Sequence, residues 1–503
     1  MKSLMQRALF FLPLFFLFTS AGAQETDERV LLNAMHSISS HDLLEYVIEQ
    51  CDEKYEGRLT GTPGYQMCAE WLAGEFKEWG LTPGGDDGSW FQWFDIPYTL
   101  VYPDCGLTLH MPLKDGSGLQ KHYRYISEYM PGSTSGNGSV TGEVVYAGYG
   151  ITAPELGYDD YAKVDVKGKI ILIESEAPVS PADGPDKFNP WYEHSFHQTK
   201  LANAARHGAV GMIYNYGPIA NPNNAYIEDF IYVHVGDTVV RDIFAGTGLD
   251  HKTVVGEIKA TLKPRSFNTK KVVTVKMATQ HFSDGRGSNV IGVLPGSDPE
   301  LGREAVIIGA HLDHLGRCYD IIPGANDNAS AVAVMMGVAK ALAESKIPLK
   351  RTVIFLSFGA EEQGILGAKA YLENPLIPLD QSVLLNMDGV GVGHSIRAAA
   401  GLNYPGLWSF IEEANNKYIH RSLSANMFAN LGRPRLDAAR FLSAGVPSIS
   451  FSTYGSVNYY HVPMDDLDII KPEIMEDLAQ LLFVSVVSMA NSPVALDEIA
   501  ARQ

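Results

Sequence analysis

The stretch from Val306 to Ala331, VIIGAHLDHLGRCYDIIPGANDNASA, joins an apolar run to a set of residue types that bind divalent metal. Val306 to Ala310 reads as a buried strand, so His311 and Asp313 fall where it ends. Asp327 follows on a polar Pro-Gly-Ala-Asn-Asp-Asn turn ahead of a helix-like run. Imidazole and carboxylate gathered at the carboxyl ends of strands are what a divalent ion needs. Further ligand types recur downstream in the same position. Glu361 and Glu362 follow TVIFLSF, Asp388 ends SVLLNMD, and His461 lies in NYYHVPMDD after another strand-like run.

Each of these has an ordinary reading. His311 with Asp313 occurs as a surface pair. Asp327 can cap a helix, as can Asn326, Asn328 or Ser330. Glu361 and Glu362 suit a helix N-terminus, Asp388 suits a turn before Gly389, and a histidine beside tyrosines is commonly structural. Adjacent carboxylates nevertheless repel unless a cation or proton compensates them. Together the residues place five metal-type ligands and one spare acid on four strand ends and one loop. Two histidines and three carboxylates with a bridging Asp hold a pair of zinc ions about 3.5–4 Å apart. The chain has no H-E-x-x-H, G-x-S-x-G or G-x-x-x-x-G-K-[ST] signature.

The elements that position these residues read as strand-helix alternation from Ser288 onward. NVIGVLPG, AVIIGAH, TVIFLSF, SVLLNMD and SISFST are expected strands. Helices are expected at Ala329–Ser345, Gly364–Glu373, Gly406–Tyr418 and Pro472–Met489. That pattern is α/β, with a mixed, mostly parallel sheet flanked by helices. HDLLEYVIEQC and YQMCAEWLAGEFKEWG read as helices around the turn-rich EGRLTGTPG, and Trp90–Leu100 as a strand. Residues 105–280 change character. Short β-like runs (EVVYAGYGI, GKIILIES, VGMIYNY, TVVGEIKATL, VVTVKMA) surround one helix at Thr199–His207, which marks a separate β-rich module.

The 503 residues suit two or three domains. A leader is expected at residues 1–23: basic Lys2 and Arg7, the apolar run Ala8–Phe18, and an Ala21-Gly22-Ala23 cleavage site. The run is too short and too interrupted by Pro13 to anchor in a bilayer, so the protein reads as exported, to a periplasm or beyond the cell. Net charge is −19, which disfavours nucleic acid and anionic membrane as partners. Export permits disulfides. Cys51, Cys68, Cys105 and Cys318 allow three complete pairings.

The ordered motifs AHLDH, GANDNAS, EEQGILGA, LNMDG and YYHVPMDD resemble those of the co-catalytic zinc aminopeptidases of metallopeptidase family twenty-eight. VVYAGYGITAPELGYDDYAKVDVKGKIILI and KLANAARHGAVGMI are similar to a protease-associated domain. The resemblance covers nearly all of the mature chain and implies a zinc exopeptidase fold at 24–104 and 281–503 around that domain at 105–280. It implies two zinc ions: His311 and Asp388 on one, Glu362 and His461 on the other, Asp327 between them. Glu361 becomes the general base, and Asp313 orients His311. The implied reaction is hydrolysis of the N-terminal bond of a peptide substrate. Tyr459 or Tyr460 is placed to bond the oxyanion, and Asp437 to meet substrate. Relatives often carry a His where this chain has Ala438, which bears on substrate selection. Three alternatives stand beside this. A carboxypeptidase or dipeptidase of the same family would need basic residues such as Arg433, Arg435 or Arg440 at the pocket. Glutaminyl cyclases typically lack the first His, and an inactive receptor-like protein should have lost ligands.

Overall fold

The computed structural model describes residues 28–113, 117–223, 225–428 and 435–501. The expected leader and Arg433 lie outside these. Five strands carry the site: β1 (Arg286–Leu294), β2 (Ala305–His311), β3 (Thr352–Phe358), β4 (Ser382–Met387) and β5 (Ser448–Tyr454). They stand in a nine-stranded mixed sheet in the spatial order β1-β3-β2-β4-β5, extended by Thr82–Pro83 and Phe91–Asp95 beside β1 and by Ser395–Ala399 and Leu423–Ala425 beyond β5. β3, β2, β4 and β5 run parallel. β1 on one side and Ser395–Ala399 on the other pair antiparallel.

Both faces of this sheet are covered, which is why its strands read as unbroken apolar runs. Alternate residues still divide between two cores. Val306, Ile308 and Ala310 of β2 pack on one face with Val353, Phe355, Val383 and Leu385. The helices Pro63–Glu78, α1 (Ser330–Ser345) and α2 (Pro472–Asn491) cover that face. Ala305, Ile307, Ile354, Leu356 and Leu384 turn to the other, with Ala368, Tyr371, Ala438 and Phe441 from two short helices. β2, β3 and β4 therefore end together, and the side chains that follow them converge at one edge.

A second sheet of eight strands uses segments between Gly106 and Met277. Its centre is parallel, with Ile170–Glu174 and Gly211–Asn215 between Gly138–Tyr146 and Ile231–Val235. A small sheet of Thr279–Phe282, Tyr98–Val101, Arg317–Cys318 and Asp320–Ile321 joins the two parts. It includes the strand before the insertion, the strand after it, and the loop beyond His311.

Three expectations need correction or detail. TVVGEIKATL is not β-like but lies in a helix, His251–Thr261, whose N-cap Asp250 accepts from the Thr253 N–H at 2.9 Å. Val254 and Ile258 are buried four residues apart, so burial at helical spacing outweighs the β-branched composition. Trp90–Leu100 divides into Phe91–Asp95 and Tyr98–Val101, parted at Ile96-Pro97. All four cysteines are free thiols, and burial, the largest influence on each, pushes Cys51 and Cys105 up to about 11 and Cys68 and Cys318 to about 12.

Candidate metal centre

His311, the last residue of β2, is buried, with its Nδ1 3.1 Å from the backbone oxygen of Asp313. A carbonyl only accepts, so Nδ1 carries the hydrogen and Nε2 offers a lone pair. That Nε2 faces Asp327 Oδ1 at 3.4 Å and Asp388 Oδ1 at 3.9 Å. His461 repeats the arrangement on the other side. Its Nδ1 lies 2.9 Å from the carbonyl oxygen of Ala220, and its Nε2 faces Glu362 Oε2 at 3.0 Å and Asp327 Oδ2 at 3.6 Å. Asp327 thus turns one oxygen to each histidine.

These separations test whether a metal fits. Two atoms bound to one tetrahedral zinc, each about 2.0–2.1 Å from it, stand roughly 3.3 Å apart. Most of the imidazole–carboxylate gaps are longer than good hydrogen bonds and match that spacing. Two groups of ligand atoms lie within 4.8 Å of one another, His311–Asp327–Asp388 and His314–Asp327–Glu362. The second names a histidine that sequence reasoning passed over. His314 Nδ1 is 2.9 Å from Glu362 Oε1, and its buried Nε2 has no partner. His461 approaches both Glu362 and Asp327 through a single nitrogen whose opposite nitrogen is already bonded. His314 instead spends its near nitrogen on Glu362, which fits a partner that orients the carboxylate.

The charges are arranged unevenly. Burial, the largest influence, pushes Glu361 well above the usual carboxylate range, and Asp437 and Glu362 nearby add to it. Burial also raises Asp437 and Asp388, and brings Asp313 to about 6. At Glu362 burial is outweighed by His461 and His314, which hold it near 2. At Asp327 the bonds from His311 and His461 likewise win over burial and keep it well below its ordinary value. Both histidines are driven well up by these acids against their own desolvation. Without a cation, protons must do the compensating.

Backbone bonds fix the loops. Asp313 accepts from the N–H groups of Glu361 and Glu362 at 3.1 and 3.2 Å, while its carboxylate stays 3.7 Å from His311 Nδ1. Ala360 takes the left-handed region at φ 54° and donates its N–H to Thr60 Oγ1 at 2.7 Å. Asn326, Asn328 and Ser330 do not cap α1. They accept from Gly391, Gly389 and Val390, tying the Asp327 turn to the loop that carries Asp388. The Asp327–Asn328 peptide is cis.

Two further residues were not singled out from the sequence. Arg58 is fully buried and donates to the carbonyls of Leu312, Gln50, Pro323 and Gly324 at 2.7–2.9 Å. Asp465, also fully buried, accepts from the N–H groups of Asn326 and Asp327 at 2.8 and 3.0 Å. Both occur in stretches noted for other reasons, EGRLTGTPG and YYHVPMDD. The Tyr460 ring stacks on that of His461 with centroids 3.6 Å apart, and Tyr459 is half-buried against the inserted module. Asp437 is buried with Oδ1 unpartnered. Arg435 pairs with Glu176 at 3.2 Å and Arg440 donates to the Gly364 carbonyl at 3.0 Å.

Residues 289–486 match the family model for peptidase family M28, and residues 140–237 that for the PA domain. Aminopeptidase YwaD of Bacillus subtilis is 27% identical over 360 residues, 67% of each chain. A vacuolar membrane protease of Candida tropicalis is 26% identical over 221 residues, 43% of this chain and 23% of that one. Among solved structures, an aminopeptidase from Aneurinibacillus sp. strain AM-1 superposes with a TM-score of 0.62 at 21% identity, covering 92% of this chain and 96% of its own. A peptidase M28 precursor from Shewanella amazonensis gives 0.61 at 20% identity, over 95% and 98%. At such identities the structural likeness speaks for the fold.

Proposed function

Because the chain belongs to peptidase family M28 and carries a PA domain, we propose that it is an exported zinc aminopeptidase that removes residues from the amino end of peptides. One observation carries this reading: Asp327 presents Oδ1 to His311 and Oδ2 to His461, the disposition of a carboxylate shared by two ions. His311 and Asp388 complete one position, Glu362 and His461 the other. The residue types and spacings fit zinc, and the name of the YwaD relative supplies the aminopeptidase assignment. The module at 105–280 is read as the insertion, and residues 1–23 as the export leader. Among the described residues no helix is long and apolar enough to cross a membrane.

Zinc held by His311, Asp388, Asp327, Glu362 and His461 would supply a Lewis acid able to polarise a carbonyl and acidify water. Glu361 takes the proton from the attacking water and returns it to the leaving amine. Its buried place beside Glu362, on the turn that Asp313 holds, suits that duty. Asp313 keeps the Glu361–Glu362 turn in place through two backbone bonds. The unpartnered oxygen of Asp437 suits an ammonium group, which favours the free amino end of a substrate over a carboxyl end. Arg435 is engaged by Glu176, while Arg440 donates to the Gly364 carbonyl and keeps a buried Nε without a partner. Tyr459 and Tyr460 stand beside His461, and we assign one of them to the oxyanion.

The test is zinc content and hydrolysis of a panel of aminoacyl chromogenic substrates, wild type beside Glu361→Ala. About two zinc ions per chain in both proteins, with kcat down by about 10²–10⁴-fold in the variant, is the expected result. A zinc-loaded wild type that cleaves no aminoacyl substrate contradicts the aminopeptidase assignment. A wild type that takes up no zinc contradicts the metal centre.

A further inference from the structure

His461 is joined to the inserted module by its own peptide and by its ring. The Ala220 N–H donates to the His461 carbonyl at 3.0 Å, and the Ala220 carbonyl accepts from His461 Nδ1 at 2.9 Å. His461 takes the left-handed backbone region at φ 59°, a conformation a non-glycine residue keeps only when its surroundings impose it. Ala220 belongs to the loop Gly217–Asn223, which is itself held from within the insertion. His234 Nδ1 lies 2.7 Å from the Ile219 carbonyl, the Asn221 N–H donates to Ser133 Oγ at 3.0 Å, and Gln198 Nε2 donates to the Asn223 carbonyl and Oδ1 at 2.9 and 2.7 Å. The far end of the loop meets the other ligand-bearing turn. A β-carbon placed on Gly364 would lie 3.2 Å from Asn223 Oδ1, just beyond Glu361 and Glu362.

We propose that the loop Gly217–Asn223 is a positioning element of the metal centre. The Ala220 peptide sets the tautomer and direction of His461, and Asn223 backs the turn that carries Glu362. Only the Glu362–His461 position then depends on the insertion, because His311 takes its second bond from Asp313 in the same strand end. A partner of this kind on a ligating histidine changes metal affinity by about 10–100-fold. The inference rests on the metal-centre reading of the preceding subsection.

The test loosens the loop without touching its contact with His461. Gln198→Ala combined with Ser133→Ala removes two anchors that lie away from every ligand. Stepwise zinc affinities are measured by chelator competition in the full-length protein. One of the two steps should weaken tenfold or more, and the other should stay within about twofold. Two steps unchanged, or both weakened alike, overturn the proposal while leaving the metal centre intact. A wild type without zinc overturns both. A second measurement needs no variant fold. Nitrogen-15 spectra of histidine-labelled wild type, with His461 assigned through His461→Gln, should show a proton on Nδ1 that exchanges slowly with solvent in zinc-free and zinc-loaded protein alike. A zinc-loaded His461 with no proton on Nδ1, or an Nδ1 proton that exchanges at the rate of an exposed histidine in either form, overturns it.

Discussion

His311 and His461 are alike in chemistry and opposite in construction. His311 ends β2 in the middle of the parallel strands, with its ring bonded two residues along the chain. His461 sits on a loop after β5, and its ring is bonded to a residue 241 positions away in another module. A buried strand end needs only its sheet to be placed. A side chain on a loop needs a second body to place it, and the contact here comes from Ala220 of the inserted module. An inserted module can thus help to place a residue of the domain it interrupts.

Substitutions on the two sides should separate the two constructions. The largest effect is expected at Arg58, which joins the two turns on the His311 side through four carbonyls. Arg58→Met leaves them without that partner and should cost on the order of 3–5 kcal/mol in denaturant unfolding. A loss under about 1 kcal/mol would mean that the strand ends hold themselves.

Acid should act on the other side. Burial pulls His234, the anchor of the Ile219 carbonyl, from 6.5 to about 4. The folded protein keeps it neutral while the unfolded chain takes up a proton. Its contribution is therefore complete above pH 6.5 and is lost as pH falls toward 4, up to about 3 kcal/mol. Unfolding measured across that window in wild type and His234→Asn should show a shallower slope in the variant. Parallel slopes would remove His234 from the account.

A smaller effect is expected at Asp465, which bonds the backbone at Asn326 and Asp327 and so serves both halves of the centre. Asp465→Asn should weaken both zinc steps by about 10–100-fold, in contrast with the one-sided loss expected from the loosened loop. Tyr460→Phe is expected to be the mildest. The stack on His461 survives it, so zinc affinity should not change. A fall in kcat of tenfold or more would assign the oxyanion bond to Tyr460, and an unchanged kcat would pass it to Tyr459.

The strands and the residues at their ends were legible because burial on both faces writes continuous apolar runs. His311, Glu361, Glu362 and Asp388 stand within a few residues of such runs, whereas Asp327 and His461 lie on loops and stood out by residue type alone. What supports them was not legible. Arg58, Asp465 and Ala220 act through main-chain atoms across as many as 266 positions, and a backbone carbonyl or amide leaves no mark in residue type. His314 offered a signal, as the second histidine of His311-Leu-Asp-His314, but a neighbouring pair already explained the motif. The helix at His251–Thr261 was hidden by its β-branched residues. Only Asp250 before it and the four-residue spacing of Val254 and Ile258 mark it.

A pair of metal positions sharing Asp327 would show in anomalous diffraction from zinc-loaded crystals at the zinc edge. Two peaks about 3.5–4 Å apart are expected, one beside His311 and Asp388 and the other beside Glu362 and His461, with Asp327 between them. A single peak, or peaks away from Asp327, would contradict it.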